Sequence, residues 1–417
     1  MTYPITVITT FDFSNGATFG YPFIIGDPDH GKFGVGTLSD STAPDYIVDV
    51  SSQVGKISIK TGYNLLQDQF EAGQATVRIY DPNGDWNPDN PSSIYAGKLL
   101  PNRKVRVAAS YGDSYYYLFS GYTSAYNYSY PKNQEIGYVD VQCTDAFRLF
   151  NLSNITTVTG ATAGETTGQR TGRILDSISW PTSMRSLDTG DSLVQADPAT
   201  SRTSLQALKN VEFSEQGAFY INQEGNAVFL SRANLEKKAG GATTYFSNAG
   251  DGINYANITT VLDDKLVINQ ANITRIGGTT QSASDATSIA AYFPHTYNQP
   301  NLVVNTDTDA LNIAKVYVAT RKDTSLRIDN LTLDLSTPDY STGITAALEL
   351  DYFNVVKIRN DQQGTTYIQK TLQVVGTAHE ITPTDWKTTF TTSEPIIDAF
   401  IIGSPAWGII GTSVMTY

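Results

Sequence analysis

Residues 371–390 read TLQVVGTAHEITPTDWKTTF, and their pattern is that of two successive β-strands. Alternate residues from Leu372 to Gly376 fall on one side of an extended strand, and the residues between them fall on the other. The segment His379–Pro383 predicts a turn, and Trp386–Phe390 predicts the second strand. Asn354–Arg359 alternates in the same way just upstream. Together these segments predict the last sheet of a β-domain, closed by a buried tryptophan.

The same two-residue alternation recurs through the chain. It places apolar residues on one face in four earlier segments: Ile57 and Ile59; Ala75, Val77 and Ile79; Val105, Val107 and Ala109; Val139, Val141 and Cys143. Phe219–Leu230 predicts a hairpin with its turn at Glu224–Asn226. The frequent Tyr, Thr, Ser, Asn and Gly residues are typical of a mainly β protein with many turns.

Short helices are expected between these strands. Their predicted positions are Leu65–Phe70, Arg173–Trp180, Ser201–Gly217, Ser282–Ala291 and Ala310–Val318. In the third of these, either Ser201 or Thr203 can cap the N-terminus. Residues 1–45 are rich in Gly, Asp, Pro and Phe, and we expect them to form a loop-rich extension.

Length and charge bound the possible functions. A chain of 417 residues is expected to hold about two to four domains. The formal charge of −13 argues against a general nucleic-acid binder, because phosphate contacts need Lys and Arg. The same charge has two interpretations. It could simply keep the protein soluble, or it could line a channel through which DNA slides without being retained. The N-terminus has no signal-peptide pattern, and no stretch approaches the roughly 18 apolar residues of a membrane helix.

Two regions of the chain resemble a known family. Residues 71–88 (EAGQATVRIYDPNGDWNP), 92–107 (SSIYAGKLLPNRKVRV) and 117–122 (YLFSGY) resemble the first tube-like domain of siphophage minor tail and hub proteins. Residues 371–390 resemble the end of the second tube-like domain in phage tail hub and late-control-type proteins. The resemblance covers most of residues 33–417. It departs at Tyr292–His295, where the family usually has Tyr-Gly after a helix.

The resemblance implies a mainly β fold with minor α content. It consists of two tail-tube-like β-barrel or sandwich domains with a small α+β domain between them. The implied divisions are an N-terminal extension (1–45), a first tube-like domain (46–150), an α+β domain (151–250), a second tube-like domain (251–395) and a C-terminal segment (396–417).

The resemblance also implies a structural role in the virion, at the tail tip or baseplate. Three chains with two similar domains each would form a ring that matches a hexameric tail tube by pseudo-symmetry. The implied partners are further copies of the chain, a distal tail or tail tube protein, a tape measure protein, and tip or fibre proteins. DNA would pass through an acidic channel without specific binding. The family implies no enzyme activity, no cofactor and no membrane anchor.

One stretch is a candidate calcium site. Asp81, Asn83 and Asp85 place oxygen ligands at alternate positions, as at the start of a calcium loop. The closing glutamate and the glycine at its proper position are missing. Asp, Asn, Pro and Gly also form ordinary turns, and this interpretation is preferred.

Candidate catalytic groups are few. Glu212 and Glu215 lie three residues apart on a predicted helix, where a glycosidase acid pair is conceivable but charges usually face solvent. Cys143 is expected in the core, and as the single cysteine it excludes an intrachain disulfide. His295 and His379 are isolated, and neither belongs to a zinc-protease motif. No phosphate loop or serine-nucleophile motif occurs. We therefore expect no catalytic, metal or cofactor-binding residues.

Two alternatives to a structural role stay open at this point. The tyrosine-rich stretch Tyr115–Tyr130 would suit a host-surface glycan, although tyrosine also fills ordinary strands. A tail-associated hydrolase is the third hypothesis.

The last segment of the chain is expected to contain an apolar strand at Phe400–Ile402. This strand and the residues around Trp407 would contact either the next tail-tip protein or the chain's own domain.

Overall fold

The computed structural model describes residues 4–19, 47–132, 136–336, 341–364 and 366–394. The strands, in chain order, are β1 (Thr6–Asp12), β2 (Ile47–Asp49), β3 (Val54–Asn64), β4 (Gln69–Tyr80), β5 (Lys104–Tyr111), β6 (Ser114–Ser129), β7 (Tyr138–Thr144), β8 (Asn154–Ile155), β9 (Glu165–Thr166), β10 (Arg185–Leu187), β11 (Leu193–Val194), β12 (Arg202–Thr203), β13 (Ala218–Ile221), β14 (Ala227–Leu230), β15 (Thr243–Ser247), β16 (Asn257–Val261), β17 (Gln270–Arg275), β18 (Gln281–Ser284), β19 (Thr296–Leu302), β20 (Arg327–Asp334), β21 (Val355–Asp361), β22 (Tyr367–Ile381) and β23 (Trp386–Ser393). The α-helices are α1 (Phe147–Leu152), α2 (Thr167–Ser177), α3 (Ser204–Glu215), α4 (Arg232–Ala239), α5 (Ala286–Tyr292), α6 (Asp307–Arg321) and α7 (Ser341–Glu349). Single 3₁₀ turns lie at Ser51–Gln53 and Thr182–Met184.

A sheet of thirteen strands unites the two halves of the chain. Its strand order is β16-β20-β23-β22-β3-β4-β7-β6-β5-β1-β2, with β21 pairing β22 and β15 pairing β21. The halves meet where β22 pairs antiparallel with β3, from Gly376 opposite Gly62 to Ile381 opposite Ile57. This pairing joins segments that are about three hundred residues apart in the sequence.

One face of this sheet covers the main hydrophobic core. The predicted alternation is confirmed, because the residues predicted to face inward are buried: Ile57, Ile59, Ala75, Val77, Ile79, Val105, Val107, Ala109, Val139, Val141 and Cys143. Leu331, Leu333 and Leu335 of β20 are buried in the same core. Trp386 lies in the same core with no solvent exposure, as predicted. The fold is thus mainly β with minor α, as expected.

A second core lies under α1, α2, α3 and the β13–β14 hairpin. The hairpin is confirmed, and β10 adds a parallel third strand to it. Helix α3 is capped by Thr203, whose hydroxyl accepts the N–H of Gln206. Helix α2 begins six residues before its predicted start, because Thr166 and Gln169 form a reciprocal capping box that the sequence pattern did not reveal.

A third, smaller core lies between α6 and the three-stranded sheet β18-β17-β19. The prediction of α6 was correct but short. The predicted helix at 282–291 is wrong in its first part. There β18 pairs with β17, and α5 begins only at Ala286, after its cap Asp285.

Three further predictions are corrected. The helical turns expected at Leu65–Phe70 are instead the tip of the β3–β4 hairpin. The Asn64 side chain accepts N–H groups at the start of this turn, and Asp68 has a left-handed backbone with φ of 55°. Residues 6–12 are not a loop, because β1 pairs with β5 along its whole length. The turn expected at 379–383 starts after Ile381, because β22 is held on both edges, by β3 and β23.

Several elements were not predicted, among them α1, α4, α7, β15 and β19. The loops expected in 20–46 and the strand expected at Phe400–Ile402 lie outside the described residues. The proposed domain boundaries stay predictions. Strand β15, which precedes the expected boundary at residue 250, pairs with β21 of the large sheet.

Candidate functional site

The solvent-facing side of the large sheet is polar, and some of its charges are paired across neighbouring strands. Arg78 of β4 forms a two-pronged hydrogen bond with Asp140 of β7, at 2.8 Å for each nitrogen–oxygen pair. Lys56 of β3 lies 3.0 Å from a carboxylate oxygen of Glu380 on β22, and Ser58 donates to the same group. These contacts link strands across the face, including the junction of the two halves.

Two strands of this sheet, β16 and β6, carry unpaired edges. Strand β16 pairs with β20 on one side, and no strand of the described residues pairs with its other side. Ala256 donates its N–H to Thr332, so by the two-residue alternation the N–H groups of Asn257 and Thr259 point to this open edge. Thr259 and Thr260 are exposed there.

The second open edge lies on the C-terminal half of β6. Tyr122 pairs with Lys104 of β5 and also with Thr144 of β7, so these two strands lie on opposite sides of β6. Strand β5 ends its pairing at Tyr122. Within the part of the chain that the structure describes, Ala125–Ser129 therefore pair only with β7. Unpaired edges of this kind are templates for strand addition from another chain.

The strand directions make the two edges compatible. Each of the seven neighbouring pairs from β16 to β6 is antiparallel. With eight strands in the series, β6 runs opposite to β16. A second copy placed head to tail could therefore pair its β16 with β6 and continue the same antiparallel pattern.

The calcium candidate folds as a series of turns in which Asp81 already has protein partners. Its carboxylate accepts the N–H of Asp85 at 2.7 Å and that of Trp86 at 3.2 Å. The indole of Trp86 is fully buried and packs edge-on against Phe11. These contacts account for Asp81 without a metal. No group of three or more acidic, histidine or cysteine side chains suited to a metal occurs among the residues described.

The two glutamates of α3 do not face solvent, which corrects the expectation. Glu212 is buried, lies 2.7 Å from the Lys209 ammonium and accepts the N–H of Phe219. Burial raises the pKa of its carboxyl. Glu215 is also fully buried. It accepts hydrogen bonds from Thr167 and from the backbone of 191, 192 and 232. Both carboxylates thus have structural partners.

The remaining candidate residues are the single cysteine and the two isolated histidines. Cys143 is buried in the main core, and burial raises the pKa of its thiol. His379 is buried against Trp386 and Thr388, and burial lowers its pKa to about 4. His295 is partly exposed, and its ring contacts the carbonyl of Tyr292. Sequence analysis therefore placed Cys143 in the core correctly.

The tyrosines of β6 do not form one continuous aromatic platform. Tyr122 is buried and donates to the carbonyl of Ala17. Tyr126, Tyr128 and Tyr130 stack on one another at centroid distances of 6.5 and 6.1 Å. Those at 115–117 line a separate cleft. None of the helices among the described residues is long and apolar enough to cross a membrane.

Comparison with known proteins shows which solved structures are similar to this fold. No family model matches the sequence, and no curated protein matches it. A tail protein from Neisseria meningitidis MC58 is similar in structure, with a TM-score of 0.55 and 12% identity, over 82% of this chain and 93% of that one. The 43 kDa tail protein of prophage MuSo2 from Shewanella oneidensis has a TM-score of 0.55 and 13% identity, over 82% of this chain and 95% of that one. The chain thus resembles phage tail proteins in fold as well as in motifs, which confirms the resemblance seen in its sequence.

Proposed function

We propose that this protein is a structural hub of a phage tail, located at the tail tip or baseplate. Three copies form a ring that joins a hexameric tail tube to tip or fibre proteins and leaves a channel for DNA. The fold shared with two phage tail proteins supports the placement in a tail. The ring is inferred from the geometry of the large sheet, and its position at the tail tip or baseplate is what the sequence resemblance implies.

The observation that carries this proposal is the eight-strand antiparallel series from β16 to β6, with an unpaired edge on β16 and another on Ala125–Ser129 of β6. Four strands come from each half of the chain, β16-β20-β23-β22 and β3-β4-β7-β6. Three copies joined head to tail would place six such units around a closed barrel of 24 strands, eight from each copy. Closure removes exposed edges, and six similar units match a six-fold tube.

The polar face of the sheet would line the channel. The opposite face is covered by the main core, so only the polar face can meet a solvent-filled lumen. On this assignment the lumen holds hydroxyls and paired charges, such as Arg78 with Asp140, rather than the excess of carboxylates expected from composition. Charges that are already paired attract phosphate weakly, which suits passage of DNA without retention.

The partners in this proposal are further copies of the chain, a distal tail or tail tube protein, a tape measure protein, and tip or fibre proteins. The role needs no cofactor and no catalysis. Glu212 and Glu215, the one carboxylate pair singled out for hydrolysis, are occupied by structural hydrogen bonds. This supports a structural role over a hydrolase.

The proposal is tested by the mass of the purified chain in solution. A single chain weighs 45.4 kDa. Light scattering coupled to size exclusion should give three times this mass at physiological salt. A monomeric mass, or an assembly of two or four chains, would argue against a self-assembling trimeric hub.

A further inference from the structure

Exposed apolar side chains lie together at one end of the large sheet. Leu262 directly follows β16, and Leu326 directly precedes β20. The last pair between these two strands is Val261 with Arg327, so the two leucines lie opposite each other at the next position. Leu262 is 66% exposed and Leu326 is 36% exposed. Two leucine side chains are thus left next to each other in solvent.

Phe293 lies in the same neighbourhood. The ring of His295 is 3.4 Å from a carboxylate oxygen of Asp264. Phe293 is two residues before His295, and Leu262 is two residues before Asp264, so this contact brings Phe293 towards the leucines. Phe293 is 80% exposed, the largest exposed fraction among the large apolar side chains that the structure describes. We call Leu262, Phe293 and Leu326 the apolar patch.

The backbone holds Phe293 in its exposed position under strain. Its φ of 63° and ψ of 172° fall in a region that essentially only glycine populates. The fully buried side chain of Asn269 fixes both sides of this residue. Its amide donates to the Phe293 carbonyl at 2.8 Å, and its oxygen accepts the N–H of His295 at 2.7 Å. Strain that the surroundings enforce is typical of functional sites, and an aromatic ring held in solvent is typical of a binding anchor.

The segment 395–417 begins beside this patch. Glu394, the residue before it, accepts a hydrogen bond from the Ser325 hydroxyl at 3.3 Å, and Ser325 is the chain neighbour of Leu326. The Lys370 ammonium donates to the same carboxylate at 2.9 Å. These contacts fix the point from which the segment starts, next to one residue of the patch.

The composition of the segment suits an apolar surface. Asp398 is its one charged residue. Its large apolar residues include Ile396, Ile397, Phe400, Ile401, Ile402, Trp407, Ile409 and Ile410. Side chains of this kind are stabilised when they leave water. Its length is ample for the whole patch, because an extended chain spans about 3.3 Å per residue.

We propose that residues 395–417 fold back onto the apolar patch of their own chain, with Phe293 as the anchor between their apolar side chains. A segment tethered beside its site needs little intrinsic affinity, because the tether gives it a high effective concentration. The contact is made within one chain. It therefore holds or fails independently of the number of copies in the assembly.

The test is photo-cross-linking of the full chain, with Phe293 replaced by the photoreactive analogue p-benzoyl-phenylalanine. Mass spectrometry of the digested product should find the cross-link in peptides from residues 395–417. On a denaturing gel the product should keep the mass of a single chain. The matched control carries the analogue at Tyr130, which is 55% exposed just after β6 and so lies towards the opposite end of the sheet. It should give no cross-link to 395–417.

Two results of this experiment would overturn the proposal. A product with the mass of two chains would assign the patch to a second copy. Absence of a cross-link from Phe293 to 395–417 would show that the segment lies elsewhere, as it would if it contacted a different tail protein.

A second measurement follows release of the segment in the full chain. Leu262→Ser should raise the rate of chymotrypsin cleavage after Phe400 or Trp407 about tenfold, because the loss of one buried leucine increases the released population. Leu66→Ser is the matched control, since Leu66 is 68% exposed at the tip of the β3–β4 hairpin. It should change the rate by less than about twofold. An unchanged rate for Leu262→Ser, or an equal rise in both variants, would contradict the proposed contact.

Discussion

The carboxylate of Glu215 joins three separate segments of the chain. One oxygen accepts the Thr167 hydroxyl at 2.7 Å and the N–H of Ser192 at 2.9 Å. The other accepts the N–H of Asp191 at 2.9 Å and that of Arg232 at 3.2 Å. Sequence analysis placed Glu215 on the correct helix but on its solvent face. The error arose because its partners are distant in sequence and three of them are backbone groups, which no residue pattern reveals.

We predict that Glu215→Gln destabilises the protein by about 2 to 4 kcal/mol. The glutamine amide presents a donor where two N–H or O–H donors now point, so at least two buried groups lose their acceptor. Urea unfolding followed by circular dichroism measures the change. Glu236→Gln is the matched control on α4, and its change should lie within about 0.5 kcal/mol. Equal stability of Glu215→Gln and wild type would show that the carboxylate is dispensable.

His379 gives a pH-dependent prediction. Its pKa is lowered to about 4 by burial, from an ordinary value of 6.5. Between these values the unfolded chain binds a proton at this position and the folded protein does not. The contribution of His379 to stability is therefore lost as pH falls from 6.5 towards 4, by up to about 1.4 kcal/mol per pH unit.

The measurement is the difference in unfolding free energy between wild type and His379→Gln at pH values from 7 to 4.5. The unfolding free energy of wild type, relative to that of His379→Gln, should decrease as the pH falls. The difference is needed because burial raises the pKa of Asp145 to about 7, which changes stability in the opposite direction over much of the same range. Asp145 contributes equally to both proteins and cancels. A difference that is flat with pH would contradict the buried neutral histidine.

At the scale of elements, local patterns predicted the strands better than the helices. The alternation in β4, β5 and β7 identified their buried faces because one face of each lies on the core. Strand β1 was missed because its pairing with β5 is about one hundred residues away in sequence. The tip of the β3–β4 hairpin was wrongly predicted to be helical, because the contacts that fix its conformation are made by residues distant in sequence. The Asp68 carboxylate is held by Arg321 at 2.5 Å and Tyr317 at 2.8 Å, both on α6.

The open edge of β16 gives a prediction about assembly. Thr259→Pro removes an N–H group that points to this edge, so it should prevent strand addition and give a monomer. Thr259→Val keeps the N–H group and should still assemble. Light scattering measures the mass, and thermal unfolding checks that both variants keep the fold, since Thr259 is exposed. Assembly of the proline variant to the wild-type mass would exclude this edge from the interface.

At the scale of the whole molecule, the order of short motifs indicated a phage tail protein although no single motif was decisive. Two tail proteins that share the fold are only 12% and 13% identical to this chain. The continuity of the sheet could not be predicted, because the β3–β22 junction depends on strands from opposite ends of the chain. That junction is what makes eight strands into one series with two complementary edges.

The most direct test of the central claim is electron microscopy of the purified chain, averaged without imposed symmetry. The expected particle is a closed ring of three chains around a central channel, with six similar units at the channel wall and a width that admits duplex DNA. Open or linear assemblies, a filled centre, or a ring of another copy number would contradict it.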